Sequence, residues 1–310
     1  MDKLEVQEII DCLPRGRTPF YYFKDRYALM LMRLAFEKPV SKGAIREAGL
    51  GRLLEKPVVK AAMGACGSGN VSAEICDFYW PDDYVCYLLK LGVWGSRDRW
   101  SDQTSRCGYN LVLQLNFSTE HTDRYYELVD PDRKHPFEYS GHPISRSGRR
   151  TLAWSRMDID LGRGEALIEE IQNDWLHRAQ GARRYAARLS GDIPMWGITV
   201  CAEKVVEYVD TVLAPHLKLW DEAMLAATIW FLREEIGIRR IYYHTHEHGA
   251  QLKRIRWGLP PRSLYTSLPR RFCFETTEEA PEFLLRYAKR GKARRLLNAA
   301  RFQSIEWPKQ

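Results

Sequence analysis

Between Tyr109 and Leu161 the chain leaves helical periodicity for alternation, and that switch limits the folds open to it. In YNLVLQLNFS, Leu111, Leu113, Leu115 and Phe117 share one face, while Asn110, Gln114 and Asn116 share the other with Val112. In TLAWSRMDIDL, Met157, Ile159 and Leu161 alternate with Arg156, Asp158 and Asp160. A period of two with one apolar face is what a half-buried antiparallel strand requires. The turn GRGE, Gly162 to Glu165, is short enough to close a hairpin into ALIEEIQND. A helix is predicted between the first two strands, over 122–130.

The flanking segments are predominantly helical. LHRAQGARRYAARLSGD and AEKVVEYVDTVLAPHLKLW read as two helices, and DEAMLAATIWFLREEIG as a third, with Asp221 as its N-cap and Gly237 at its end. RRIYYHT then reads as a strand, SLYTSLPRRFCFET as one or two more, and Thr276 or Thr277 opens a last helix. Most of the first hundred residues read as helix. KDRYALMLMRLAFEK is stopped by Pro39, and SKGAIREAGLG, with Ser41 as N-cap and Gly49 at its end, starts a helix pair with a helix-turn-helix outline. The expected organisation is a helical region over 1–100, followed over 101–310 by an α+β domain. That domain holds a mixed, largely antiparallel sheet flanked by helices and ends in a basic helix.

Composition narrows the function classes. With 45% hydrophobic and 28% charged residues, 310 residues can build a sizeable core. No apolar run approaches the roughly 20 residues of a membrane-spanning helix, so no membrane partner is expected. The N-terminal MDKLEVQEIIDCLPRGR mixes acids with its apolar residues, unlike a secretory signal. Seven scattered cysteines without a CxxC pair predict neither a disulfide framework nor a cysteine zinc site, and a cytoplasmic location. The net charge of +7 and pI near 9.0 favour an anionic ligand, cofactor or nucleic acid. Much of that excess lies in RYAKRGKARRLLNAAR, Arg286 to Arg301, which carries no acid. Such a helix grips phosphates or forms a solvated face. SRDRW, Ser96 to Trp100, and SRSGRR, Ser145 to Arg150, are loops with the same two readings.

The candidate site lies at the end of the hairpin. Alternation projects Glu170, Gln172 and Asp174 together, with Glu169 on the opposite face beside Leu167, Ile171 and Trp175. Once helices cover the sheet, those polar groups need partners or a ligand. In HTHEHG, His244 and His246 are spaced to reach one metal ion from a strand end, with His248 or Glu247 joining from the turn. Histidines that hydrogen-bond the acidic strand are the alternative. No GxSxG elbow and no GxxxxGK[ST] loop is present, which removes the usual anchors of hydrolase-triad and P-loop chemistry.

The order of elements from about 105 to 276 resembles that of the GCN5-related N-acetyltransferases. There an antiparallel meander leads into a cofactor-binding helix, then a parallel strand, a helix and a last strand. LIEEIQNDW is also similar to the EIQSDW signature of a phage and polyvalent-protein family. The first resemblance implies acyl transfer from acetyl-CoA or another acyl-CoA to an amine. It implies that the segment Arg178-Ala179-Gln180-Gly181-Ala182-Arg183 lies against the pyrophosphate, matching the family pattern at Arg178 and Gly181 and departing from it at Arg183. Glu170 is then the expected base, Asp174 a second base or amine ligand, and Trp175 and Tyr243 pocket walls. Two other classes stay open. One is a nucleic-acid or partner-binding protein on a degenerate version of this fold. The other is a metal enzyme using His244, His246 and the acidic strand.

Overall fold

The computed structural model describes residues 1–12, 18–65, 69–96, 102–145, 148–255 and 258–307. Residues 97–100 of the first arginine-rich loop, 146–147 of the second, and Cys66 therefore fall outside the described residues. In chain order the first part comprises α1 (Lys3–Cys12), β1 (Thr18–Tyr22), α2 (Arg26–Ala35), β2 (Val40–Ser41), α3 (Lys42–Glu47), α4 (Pro57–Ala65), β3 (Asn70–Val71), α5 (Ala73–Phe78) and β4 (Val85–Ser96). The middle comprises β5 (Gly108–Asn116), α6 (Thr119–Leu128), β6 (Thr151–Asp160), β7 (Glu165–Gln172), α7 (Trp175–Ala186), β8 (Asp192–Met195), β9 (Ile198–Cys201), α8 (Ala202–Glu207) and α9 (Ala214–Trp230). The last part comprises β10 (Arg240–His244), α10 (His246–Lys253), α11 (Ser267–Arg271), β11 (Glu275–Thr277), α12 (Glu282–Tyr287), α13 (Gly291–Ala299) and β12 (Phe302–Glu306).

The fold is α+β, with an eight-stranded sheet ordered β1-β4-β5-β6-β7-β10-β12-β11 and helices on both faces. Every neighbouring pair is antiparallel except β7 and β10. The expected alternation in β5 and β6 holds: Leu111, Leu113, Leu115, Met157 and Ile159 face one large core, into which α9 buries Ala223 to Ala227 and Ile229. The opposite face carries a smaller apolar cluster, in which Leu167, Tyr242 and Phe302 meet Leu252 of α10, Leu284 of α12 and Leu297 of α13.

Several elements depart from the sequence reading for identifiable reasons. The first hundred residues are not wholly helical, because β1 and β4 extend the main sheet and β4 pairs with β5 from Leu88 to Ser96. Asp221 lies inside α9, which begins seven residues earlier at Ala214 with Pro215 in its first turn, where a missing N–H costs nothing. SLYTSLPRRF forms a short 3-10 turn (Arg262–Tyr265) and α11 in place of a strand, and only Glu275–Thr277 pairs. The basic run is two helices, α12 and α13, with Gly291 at φ +77° at the junction, and β12 follows it into the sheet. Local signals that needed no tertiary partner held: the Ser41 hydroxyl accepts from Ala44 N at 3.2 Å, and Gly49 ends α3 at φ +76°.

Candidate functional site

The parallel pair β7 and β10 forks. Their register runs from Glu165↔Arg240 to Ile168↔Tyr243, after which β7 continues to Gln172 paired with β6 alone. A β-bulge opens the fork: Arg156 faces Glu170, while its neighbour Met157 faces Ile168, leaving Glu169 as the extra residue. The bulge shifts the alternation by one. Ile168 and Ile171 both enter the large core, whereas Leu167, Glu170 and Gln172 lie on the other face. The predicted separation of Glu169 from Glu170 is therefore corrected: both carboxylates serve the same polar cluster.

The floor of the fork is closed. Glu169 accepts from Ser105 N (3.0 Å), Ser105 Oγ (2.8 Å) and His244 Nε2 (3.1 Å), and its backbone carbonyl accepts from Lys253 Nζ (2.8 Å). Glu170 forms an ion pair with Arg156 and sits 3.7 Å from Lys253 Nζ. The Arg156 guanidinium also donates to Asp102 O (2.6 Å) and lies over Trp94 and Trp154. Burial alone would raise both carboxyls. For Glu169 the donors around it outweigh burial and hold it down to about 2, while Lys253 and Arg156 hold Glu170 below the usual carboxylate range. Burial lowers His244 and Lys253 against the pull of those same acids. A neutral His244 donating Nε2–H to an ionised Glu169 fits all of these contacts. It leaves Nδ1 as a buried lone pair without a partner among the described residues. Gly249 makes the arrangement possible, since a Cβ there would lie 2.7 Å from His244 Cβ.

Ser105, His244 and Glu169 have the residue types of a nucleophilic triad but not its connectivity. Hydroxyl and carboxylate both meet Nε2, so the ring cannot take a proton on one nitrogen while the acid steadies the other. Tyr243 and Tyr265 lie beside the fork as a tilted pair with centroids 5.4 Å apart, and both buried hydroxyls lack a partner among the described residues. The charge on Glu170 acts on each ring, and burial raises both phenols far above the ordinary value.

The mouth of the fork is part-exposed. Asp174, the N-cap residue of α7, binds His142 Nδ1 at 2.7 Å, and Gln172 Nε2 donates to the other Asp174 oxygen at 3.0 Å. His142 Nε2 has no partner among the described residues, and the side chains of His142 and Asp174 are 25% and 18% exposed. The loop between α6 and β6 fixes His142. Asp130 accepts from Lys134 N and His135 N (both 2.8 Å), Arg150 pairs with Glu138 (3.0 Å), and Gln114 Nε2 donates to Pro143 O (3.2 Å). Trp154 links mouth and floor, its ring lying 5.4 Å from that of His142 and beneath Arg156. Arg178 lies alongside, over the rings of Tyr139 and Trp196.

The remaining expected residues are elsewhere. Trp175 is buried in the large core and donates Nε1–H to Tyr208 Oη at 2.8 Å, so it walls no pocket. His246 Nε2 meets Pro260 O, and His248 Nδ1 meets Thr245 Oγ1 and Arg301 N, so the three histidines of HTHEHG point to separate places. Among the described residues no group of three or more His, Cys, Asp or Glu is arranged to hold a metal. The segment 178–183 is interior to α7. Arg178 N already bonds Asp174 O, Asn173 Oδ1 caps Leu176 N, and Arg183 pairs with Asp210 at 2.8 Å. Its amides are taken up by the helix, so this segment does not fit the pyrophosphate of coenzyme A. Sequence reasoning missed His142, Ser105 and Lys253. His142 sits in SGHPIS, a polar turn like any other, and Lys253 looks like an ordinary solvated lysine on a short helix.

Together these features define an α+β protein with a forked parallel strand pair, a buried charged floor and a histidine–aspartate mouth. No family model, curated protein or solved structure matches the chain. Among the described residues no helix is long and apolar enough to cross a membrane.

Proposed function

We propose that the protein is an acyltransferase-like enzyme that acylates an amine, with His142 as its general base. The observation carrying this reading is the Asp174 carboxylate on His142 Nδ1, which leaves Nε2 without a partner among the described residues on a part-exposed ring. A carboxylate in that position sets the tautomer and steadies the imidazolium that forms when Nε2 takes a proton. The order of elements supports the acyltransferase-like part: an antiparallel run through β4, β5, β6 and β7 leads into α7, and β10 then returns parallel to β7. Glu170, the base expected from sequence, is neutralised by Arg156 and Lys253, and its lowered proton affinity makes it the poorer acceptor. In the step itself the amine nitrogen bonds the acyl carbon, the bond to the leaving group breaks, and the amine proton passes to His142 Nε2. Because segment 178–183 does not fit coenzyme A, no role in that step is given to the cofactor.

The test is turnover of a panel of amines with acyl donors including acetyl-CoA, by wild type and His142→Ala. His142→Ala is expected to lower kcat/KM by about 10²–10⁴-fold with an unchanged melting temperature. Acylation unaffected by that substitution, or no acylation of any amine, would remove the reading.

A second reading, nucleic-acid binding, has its own observation. Arg52, Lys56, Arg270 and Arg271 line a groove of about 850 Å³ between α4 and α11; Lys56 pairs with Asp25, and Arg271 with Asp221 and Glu222, which leaves Arg52 and Arg270 as its main charges. Binding of short duplexes that weakens steeply with added salt, and is lost in Arg270→Glu, would favour it.

A further inference from the structure

A cleft of about 1030 Å³ lies away from the His142 mouth, between α10, α12 and α13. Its walls are mainly aliphatic, with Leu252, Leu284, Leu296 and Leu297 among them beside His246, Gln251 and Tyr287, and its rim carries the exposed cations Arg262 and Lys292. Glu247, the one acid among the described residues that line the cleft, faces Arg262 at 3.3 Å, which leaves Lys292 to give the rim its positive charge. Ser105 forms part of the floor, and beneath it both its amide and its hydroxyl point to the ionised Glu169.

We propose that this cleft binds a free aliphatic acid, a medium-length hydrocarbon chain ending in a carboxylate. Two features of the cleft orient the ligand. A second negative charge at the floor would sit close to Glu169 in a region of low dielectric, so the head group is excluded there. The aliphatic walls accept the chain, and the cationic rim accepts the carboxylate. The chain therefore enters first and the head stays at the surface. A neutral ligand of the same length lacks the second interaction, and a dianionic polar ligand lacks the first. The proposal is independent of the acyl-transfer reading, because no residue of the His142–Asp174 pair lines this cleft.

The experiment is calorimetric titration of the full chain with decanoate, decanol and anionic lipid vesicles, at low and high salt. Decanoate is expected to bind saturably, more tightly than decanol, and more weakly as salt screens the rim. Lys292→Glu should weaken decanoate roughly 2–5-fold, as expected for one exposed charge contact. Leu296→Trp, which fills the cleft, should abolish binding, while His142→Ala should leave it intact. Ala293→Leu, a smaller filling change checked by circular dichroism, serves if Leu296→Trp does not fold. Failure of decanoate to bind at millimolar concentration, equal affinity for decanol, binding to vesicles alone, or indifference to both filling variants would each overturn the proposal.

Discussion

Two histidine–carboxylate pairs lie along one polar seam of this protein, joined through Glu170, Arg156 and Trp154, and they differ in almost every property that decides reactivity. His244 and Glu169 are fully buried, and Ser105 meets the same ring nitrogen as the carboxylate. His142 and Asp174 are part-exposed, with the carboxylate on Nδ1 and Nε2 open. The first pair fastens four pieces of chain together: the turn at Ser105, β7, β10 and Lys253 of α10. The second pair has spare valence on a part-exposed ring. Residue type alone does not separate a structural clasp from a base. The ring nitrogen used, and whether the other nitrogen reaches solvent, do.

The largest effect that would break this comparison is on stability. Glu169→Ala removes the acceptor for Ser105 and His244 and leaves Lys253 buried near a reduced countercharge. It is expected to cost about 3–5 kcal/mol in chemical denaturation. A loss as small as that of a surface substitution would mean that the floor is not a clasp. Gly249→Ala comes next. Its new Cβ would collide with His244 Cβ, which cannot rotate away, so a loss of about 1–3 kcal/mol is expected, visible as a lower melting temperature. An unchanged melting temperature would show that α10 can move off His244.

Acid should expose the buried side of the comparison in two stages. Burial lowers His244, and lowers His216 to about 4, from an unfolded value of 6.5. Because the folded values are depressed, the unfolded chain takes up protons first. The contribution from these histidines is complete above pH 6.5 and declines below it, for His216 down to about 4. Glu169 is also depressed, from 4.5 to about 2, so its contribution is complete above pH 4.5 and disappears as pH falls toward 2. Melting temperatures recorded across this range should therefore fall in both windows, and a flat profile between pH 6.5 and 4 would contradict the buried neutral imidazoles. Nitrogen NMR of His244 should find the proton on Nε2 and none on Nδ1. The smallest effect is Arg183→Ala, which removes an exposed pair with Asp210 and should alter neither melting temperature nor turnover.

Much of the fold was legible because it rests on local periodicity. The β6–β7 hairpin with its GRGE turn, the strand RRIYYH and the caps at Ser41 and Gly49 all follow from signals spanning a few residues. The site was only partly legible. Asp174 and Gln172 were expected at the end of β7 and are there, but their partner His142 comes from a loop 32 residues earlier. Glu170 was expected as a base, yet Arg156 faces it across a bulge that alternation cannot reveal.

By itself, then, the sequence determined the elements: which stretches alternate, where helices start and stop, and that acids and histidines gather near two strand ends. It could do so because backbone preferences and amphipathic periods act over a turn of helix or a pair of residues. Only the tertiary structure decided which charges meet. The bulge at Glu169, the approach of α10 made possible by Gly249, and the loop that brings His142 to Asp174 all depend on contacts between residues far apart in the chain. Burial then set the proton affinities, because desolvation and opposing charge exist only once those distant groups are packed together.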